Sequence, residues 1–391
     1  MRFNRRKVLT ATAAAAAASL PALKAFARTF PGDVELRGTV GRLERLADMD
    51  LENREYFLTT YRTWVSRDLW GRAAARAQAV LKENDIGPGD DVSMAQAVAL
   101  FENDPAITLA AHTWLRGQQI MWRELVDEFH SNADRYLSEM EAADKLGPAL
   151  ELSPGMFIPD YAKHEIHMQP GGYVGDPFAG HIYYYGTHNF YMGENYQDDQ
   201  HVRYAAAVPL PADRKVKRVL ELGCGCGQMA TALKDRFPEA EVWGVDVGGP
   251  MVRFAHMRAL DIGVDVKFRQ ALAEDTKLPD GHFDIVTSYI LNHEVPAAAS
   301  AAITAEAHRV LRAGGVYYPI DTHTRRPIAK RTAFGWFQQW WIYRWNQEVW
   351  QLEYANFDHV GAMAAAGFAV DENGPPSWPG FKSNILGTKT V

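Results

Sequence analysis

The sequence predicts an α/β fold: a doubly wound parallel sheet preceded by an N-terminal helical accessory domain and closed by an aromatic helical lid. Three observations lead there. Between Val216 and Asp321, short apolar runs alternate with helical stretches, the βαβ signature of a parallel sheet. From about residue 34 to 150, Ala, Leu, Arg and Glu dominate and apolar positions recur every three or four residues. From Phe334 to Tyr354, nine aromatic side chains fall within 21 residues.

Taken in order, residues 1–27 stand apart. They carry Arg2, Arg5, Arg6, Lys7 and Lys24 without an acid, then an Ala-rich apolar run from Val8 to Leu23 and the small-x-small triplet Ala25-Phe26-Ala27. That layout reads as an export signal of the twin-arginine type and predicts a periplasmic protein; the alternative is a cytoplasmic chain with an Ala-rich helix. The run is shorter than the ~20 residues a spanning helix needs, so no stable membrane span is expected. In the helical segment 34–150, a stripe through Ile107, Ala111, Trp114, Leu115, Gln118, Met121, Trp122, Leu125 and Phe129 marks a buried face. Gly87-Pro88-Gly89 breaks the segment and Gly147-Pro148 ends it. Residues 156–200 are rich in Gly, Pro and aromatics and show no period, which reads as a connecting segment of ordered turns.

Within 201–391, Val219–Leu222, Val242–Val245, Val266–Arg269, Phe283–Ser288 and Val316–Ile320 read as strands. Thr231–Arg236, Met251–Leu260 and Ala297–Arg312 read as the helices between them, with 322–357 as an insertion after the fifth strand. Phe357–Gly367 reads as a further helix and Ile385–Val391 as a last strand. A length of 391 residues suits one core domain plus an accessory one. Hydrophobic residues at 47% and charged residues at 23% exclude a disordered, collagenous or multi-span membrane chain. A net charge of −7 leaves no basic excess to neutralise phosphates and disfavours a nucleic-acid partner. The two cysteines, Cys224 and Cys226, stand too close in sequence to pair well.

The sharpest motif is Glu221-Leu222-Gly223-Cys224-Gly225-Cys226-Gly227, running from strand into helix. Its three glycines let the backbone turn tightly and approach a ligand, and a helix start offers amides to polar groups. Asp246 ends the next strand, 19 residues past Gly227, where a carboxylate can hold both ribose hydroxyls. Ala273-Glu274-Asp275 and Leu278-Pro279-Asp280-Gly281-His282-Phe283-Asp284 follow at matching distances. On these residues the segment Arg218–Asp321 resembles the class I S-adenosylmethionine-dependent methyltransferases. The resemblance implies a Rossmann-like sheet, S-adenosyl-L-methionine as methyl donor and a small-molecule acceptor. It also implies that Glu221, Gly223, Gly225 and Gly227 surround the methionine part, that Asp246 holds the ribose, that adenine lies near Ala273, and that Ser288 lies at the pocket floor.

A second resemblance rests on Tyr183-Tyr184-Tyr185-Gly186-Thr187-His188, about 30 residues before the glycine turn. It is similar to the aromatic segment of sterol C-methyltransferases and cyclopropane fatty-acid synthases. It implies that Tyr185 closes over the cofactor, that His188 faces the substrate, and that the acceptor is hydrophobic or lipid-like. The aromatic insertion adds Trp340 and Trp341 as candidate walls of an acceptor pocket; the other readings dock this helix onto the accessory domain or lay it at a membrane interface. His293 and Glu294, just past the fourth strand, are the candidate catalytic base. No histidine pair shows metal-ligand spacing, so no metal is expected. The same glycine turn also serves nicotinamide-dependent oxidoreductases, and the same fold serves non-catalytic binding proteins.

Overall fold

The computed structural model describes residues 39–40, 43–44, 49–147, 150–322, 327, 331–376 and 384–390. The export-signal expectation for residues 1–27 lies outside them, as does part of the 322–357 insertion. A two-residue antiparallel pair, β1 (Thr39–Val40) and β2 (Leu43–Glu44), comes first.

The helical segment follows as α1 (Met49–Trp64), one wider turn at Val65–Leu69, α2 (Trp70–Glu83), α3 (Met94–Phe101), α4 (Pro105–Ser131) and α5 (Ala133–Ala143). Local chemistry sets the starts. Ser93 and Gln96 form a reciprocal capping box on α3. Asp104 accepts the amides of Ala106 and Ile107 at 3.0 and 3.2 Å, with Pro105 in the first turn of α4. Helix α4 is 27 residues long and buries the stripe read from the sequence, from Ile107 to Phe129.

The main sheet contains β3 (Leu150–Glu151), β4 (Arg218–Leu222), β5 (Glu241–Asp246), β6 (Lys267–Gln270), β7 (Phe283–Tyr289), β8 (Leu311–Ile320), β9 (Phe368–Asp371) and β10 (Leu386–Lys389). Their order is β3-β6-β5-β4-β7-β8-β10-β9. The first six run parallel, and β10 lies antiparallel between β8 and β9. The intervening helices are α6 (Ala179–Phe190), α7 (Asp199–Ala207), α8 (Gln228–Arg236), α9 (Gly249–Ile262) and α10 (Ala297–Val310). After β8 come α11 (Ala333–Trp345), α12 (Gln351–Asn356) and α13 (His359–Ala365). Leu220 and Leu222 face one core with Ile303, Ala307 and Met363, whereas Val219 faces the other with Met229, Val252 and Phe268. Both faces of the sheet are therefore covered, which is why its strands read as continuous apolar runs. From β4 the chain steps to β5 on one side and later to β7 on the other. That reversal opens a crevice at the carboxyl ends of β4 and β7.

Three expectations change. Residues 156–200 are not turns throughout, because α6 forms within them. It is held between α4 and α9 and buried on nearly every side, polar His181, Thr187, His188 and Asn189 included, so no apolar stripe marks it. A Cβ at Gly180 would overlap Phe254 of α9 and one at Gly186 would overlap Trp122 of α4, so both glycines permit the close approach. Strands β3 and β9 were not legible; β3 carries the end of the helical segment onto the sheet edge beside β6. Finally, the aromatic helix α11 is docked on the accessory helices. Phe334 and Phe337 meet Phe101 edge-on at 5.9 and 5.8 Å, and Trp341 meets Trp114 and Trp70 at 5.0 and 5.7 Å.

Candidate functional site

The crevice holds a cleft with about 810 Å³ of empty space, its mouth included. Gly223 and Gly225 enter it from the turn after β4, Asp246 from the end of β5, Ala273 and Glu274 from beyond β6, Tyr289 from the end of β7, and Leu291 and Glu294 from beyond it. Tyr161, Ile166, Tyr173 and Tyr183 of the connecting segment cover it. No residue of the 322–357 insertion lines it among those described, so Trp340 and Trp341 do not wall the cleft. The cover is the connecting segment instead.

The turn is shaped by backbone geometry. Gly223, Gly225 and Gly227 have φ of +68°, +50° and +72°, a region closed to most side chains. A Cβ at Gly225 would find only Met251 at 3.7 Å and Tyr183 at 4.0 Å, so it would project into the cleft. Asp246 is clamped at the rim, its Oδ2 accepting from Gly225 N at 2.9 Å and its Oδ1 from Gly248 N at 2.8 Å. Burial raises its carboxyl above the usual range, and those two amides oppose the shift. Glu221 is buried beneath the turn with Oε2 lacking a partner, and burial pushes its carboxyl well up. Tyr161 donates to Glu274 across the cleft.

Other sequence candidates lie elsewhere. Ser288 is wholly buried within β7 and does not line the cleft. Tyr185 turns toward the accessory helices, 5.7 Å from Phe129, while its neighbour Tyr183 takes the cleft position. His188 is buried against the Tyr196 ring at 4.0 Å, away from the lining, and burial pushes its imidazole down to about 4. An α-helix turns successive side chains by about 100°, so neighbouring tyrosines face different neighbours.

His201 is likewise buried. It accepts from Asn195 Nδ2 at 3.2 Å and lies 5.1 Å from the Tyr289 ring. Burial brings it to about 4, with Asp198 opposing the shift and Arg258 adding to it. The unfolded histidine takes its proton near 6.5, so between 6.5 and 4 the unfolded chain binds more protons and stability falls as pH falls. The window is worth at most about 3 kcal/mol for this group. Melting temperature should drop from pH 7 to 4.5 in the parent chain, and His201→Gln should flatten that slope.

Beneath the cleft floor lies a polar cluster drawn from five parts of the chain. Glu294 Oε1 accepts from His167 Nε2 at 3.0 Å and faces His293 Nε2 at 3.3 Å. His293 Nδ1 donates to Asp321 Oδ1 at 2.6 Å, and His167 Nδ1 lies 3.3 Å from Glu348 Oε1. Asn346 donates to Glu348 at 2.6 Å. Gln118 of α4 donates to Asn346 Oδ1 and to the His167 carbonyl, both at 2.6 Å. His167 itself has φ +56°, and its carbonyl also accepts from Trp122 Nε1 at 2.8 Å. A non-glycine residue held left-handed costs about 1–3 kcal/mol, which these bonds offset. Burial opposes charge on His167, yet Glu348 and Glu294 outweigh it and hold the imidazole up to about 9. Burial likewise opposes ionisation of Glu294, and the two histidines bring its carboxyl down to about 2.

Of the two candidate bases, only Glu294 reaches the cleft; His293 is buried behind it. Sequence reasoning missed His167, Glu348, Tyr161, Tyr173 and Tyr183. The fold brings His167, His293 and Glu294 together across more than 120 residues of chain, which local spacing could not show.

Residues 219–315 match a family model described as a methyltransferase domain. A demethylmenaquinone methyltransferase from Thermus thermophilus is 43% identical over 81 residues, 21% of this chain and 37% of that protein. A ubiquinone biosynthesis O-methyltransferase from Pseudomonas aeruginosa is 36% identical over 115 residues, 29% of this chain and 47% of that one. The chain thus spans less than half the length of either relative. A solved putative methyltransferase from Bacillus halodurans is 24% identical over 44% of this chain and 70% of its own, with a TM-score of 0.35. The match to the methyltransferase-domain model thus spans the segment from β4 into β8 of the doubly wound sheet.

Proposed function

We propose that the chain is an S-adenosylmethionine-dependent methyltransferase acting on a small, apolar, lipid-like acceptor. The observation that carries this reading is Asp246: a clamped carboxylate at the rim of a cleft, beside glycine backbone open to that cleft, within the matched domain. Asp246 suits a ribose diol, the Gly223–Gly227 turn an approaching chain of atoms, and Ala273, Leu291 and Met251 a flat apolar ring. S-adenosylmethionine supplies a methyl group already activated by sulfonium charge. The chain's own task is then alignment and exclusion of water. Tyr161, Tyr173 and Tyr183 serve both, as rigid faces over the cleft.

His167 and His293 hold the Glu294 carboxyl down against the effect of burial, a shift that favours the carboxylate and lowers its basicity. It suits holding a hydroxyl or a cation. The names of the two quinone-related relatives, together with the aromatic cover, support an apolar acceptor. The same reading takes residues 1–27 as a twin-arginine-type signal, supported by Arg5-Arg6 ahead of the apolar run.

Asp246→Ala tests the cofactor assignment. Hydrogen bonds to a charged group are worth about 1.5–3 kcal/mol each, so S-adenosylmethionine affinity should fall at least tenfold. Calorimetry would measure it, with circular dichroism checking the fold. Unchanged affinity would overturn the assignment.

A further inference from the structure

We propose that His167, His293 and Glu294 form a binding site for one divalent transition-metal ion at the floor of the cleft. The three side chains converge, with one ligand atom from each lying within 4.8 Å of the others. Bond lengths near 2.05 Å place ligand atoms about 2.9 Å apart at a right angle and about 3.3 Å apart in a tetrahedron. Glu294 Oε1 lies 3.0 Å from His167 Nε2 and 3.3 Å from His293 Nε2, already at those separations.

The surroundings match a metal site as closely as the ligands do. A metal-binding histidine turns its other ring nitrogen to a carboxylate or carbonyl, which fixes its orientation. Both histidines here do so, His293 Nδ1 to Asp321 at 2.6 Å and His167 Nδ1 toward Glu348 at 3.3 Å. Asp321 is in turn held by the Asn292 and Thr322 amides at 2.9 and 2.6 Å, and Glu348 by Asn346 and Gln351, both at 2.6 Å. Glu294 Oε2 is buried with no partner, leaving a free oxygen on the ligand that reaches the cleft. Two imidazoles and one carboxylate suit zinc, iron, cobalt or nickel, with positions left over on the cleft side.

Such an ion would hold an oxygen of the acceptor. That role rests on the methyltransferase reading, whereas metal binding does not. The full chain, stripped with chelator, would be titrated with Zn²⁺ and with Co²⁺ and assayed by elemental analysis and visible absorption. One ion per chain is expected, with ligand-field bands from Co²⁺. His167→Ala, His293→Ala and Glu294→Gln should each weaken Zn²⁺ binding more than 100-fold, and Glu348→Gln about 10–100-fold. The cobalt spectrum of the parent chain needs no variant to fold. A parent that binds no stoichiometric ion would overturn the site, as would folded variants that bind like the parent. S-adenosylmethionine calorimetry on the same preparation separates the two readings. Metal without cofactor binding would sink the methyltransferase proposal alone, and cofactor without metal binding would sink this one alone.

Discussion

Trp341→Ala should lower the stability of the folded chain by about 3–5 kcal/mol, the usual cost of deleting a buried tryptophan. Its ring is only 5% exposed, set edge-on between Trp114 of α4 and Trp70 of α2, with Ala111 and Leu115 beneath. The substitution would leave a cavity at the seam between the insertion and the accessory helices, a place where neither side can collapse freely. Cofactor affinity should stay within about threefold, under 1 kcal/mol, because no atom of this residue reaches the cleft. Chemical denaturation and calorimetry on one variant check both halves. A stable variant with altered acceptor choice would restore the insertion as a substrate wall.

Asp198→Ala should cost a similar amount, about 3–5 kcal/mol, for a different reason. Asp198 is 1% exposed and pairs with Arg258 of α9, itself 5% exposed. Its other oxygen accepts from Gln228 Nε2 at 2.9 Å. Arg258 also donates to Thr231 at 3.2 Å and lies 5.1 Å from the Tyr184 ring, so the guanidinium cannot turn to water once its partner is gone. The penalty comes from the charge left behind. Arg258→Met in the Asp198→Ala background should therefore recover part of the loss, and a double-mutant cycle by denaturation measures the coupling. Additive losses would show that the ion pair contributes nothing beyond its separate packing.

The glycine turn, Asp246, the five central strands and their helices were legible in the sequence because each is fixed by short-range chemistry. An apolar run of four to six residues, a carboxylate at a strand end and glycines at positive φ are all local signals. Cleft membership followed for Gly223, Gly225, Asp246, Ala273 and Glu294, which sit where strands end. Legibility failed where a residue's neighbour lies far along the chain. Tyr185 and Tyr183 look alike in sequence, and only the wedge of α6 between α4 and α9 decides which one meets the cleft. His167 carries no spacing signal, because its partners come from residues 293–294 and 348 and from Gln118.

The aromatic insertion shows the same division. Composition alone marked Phe334–Tyr354 as an aromatic surface suited to cover by an apolar partner. It could not say which partner, because burial is non-directional and any apolar face will serve. The sequence by itself determined the sheet, its glycine turn and the carboxylate beside it. The tertiary structure decided which segment covers the cleft and which distant acids and imidazoles meet beneath it, because those contacts depend on how separate elements stack.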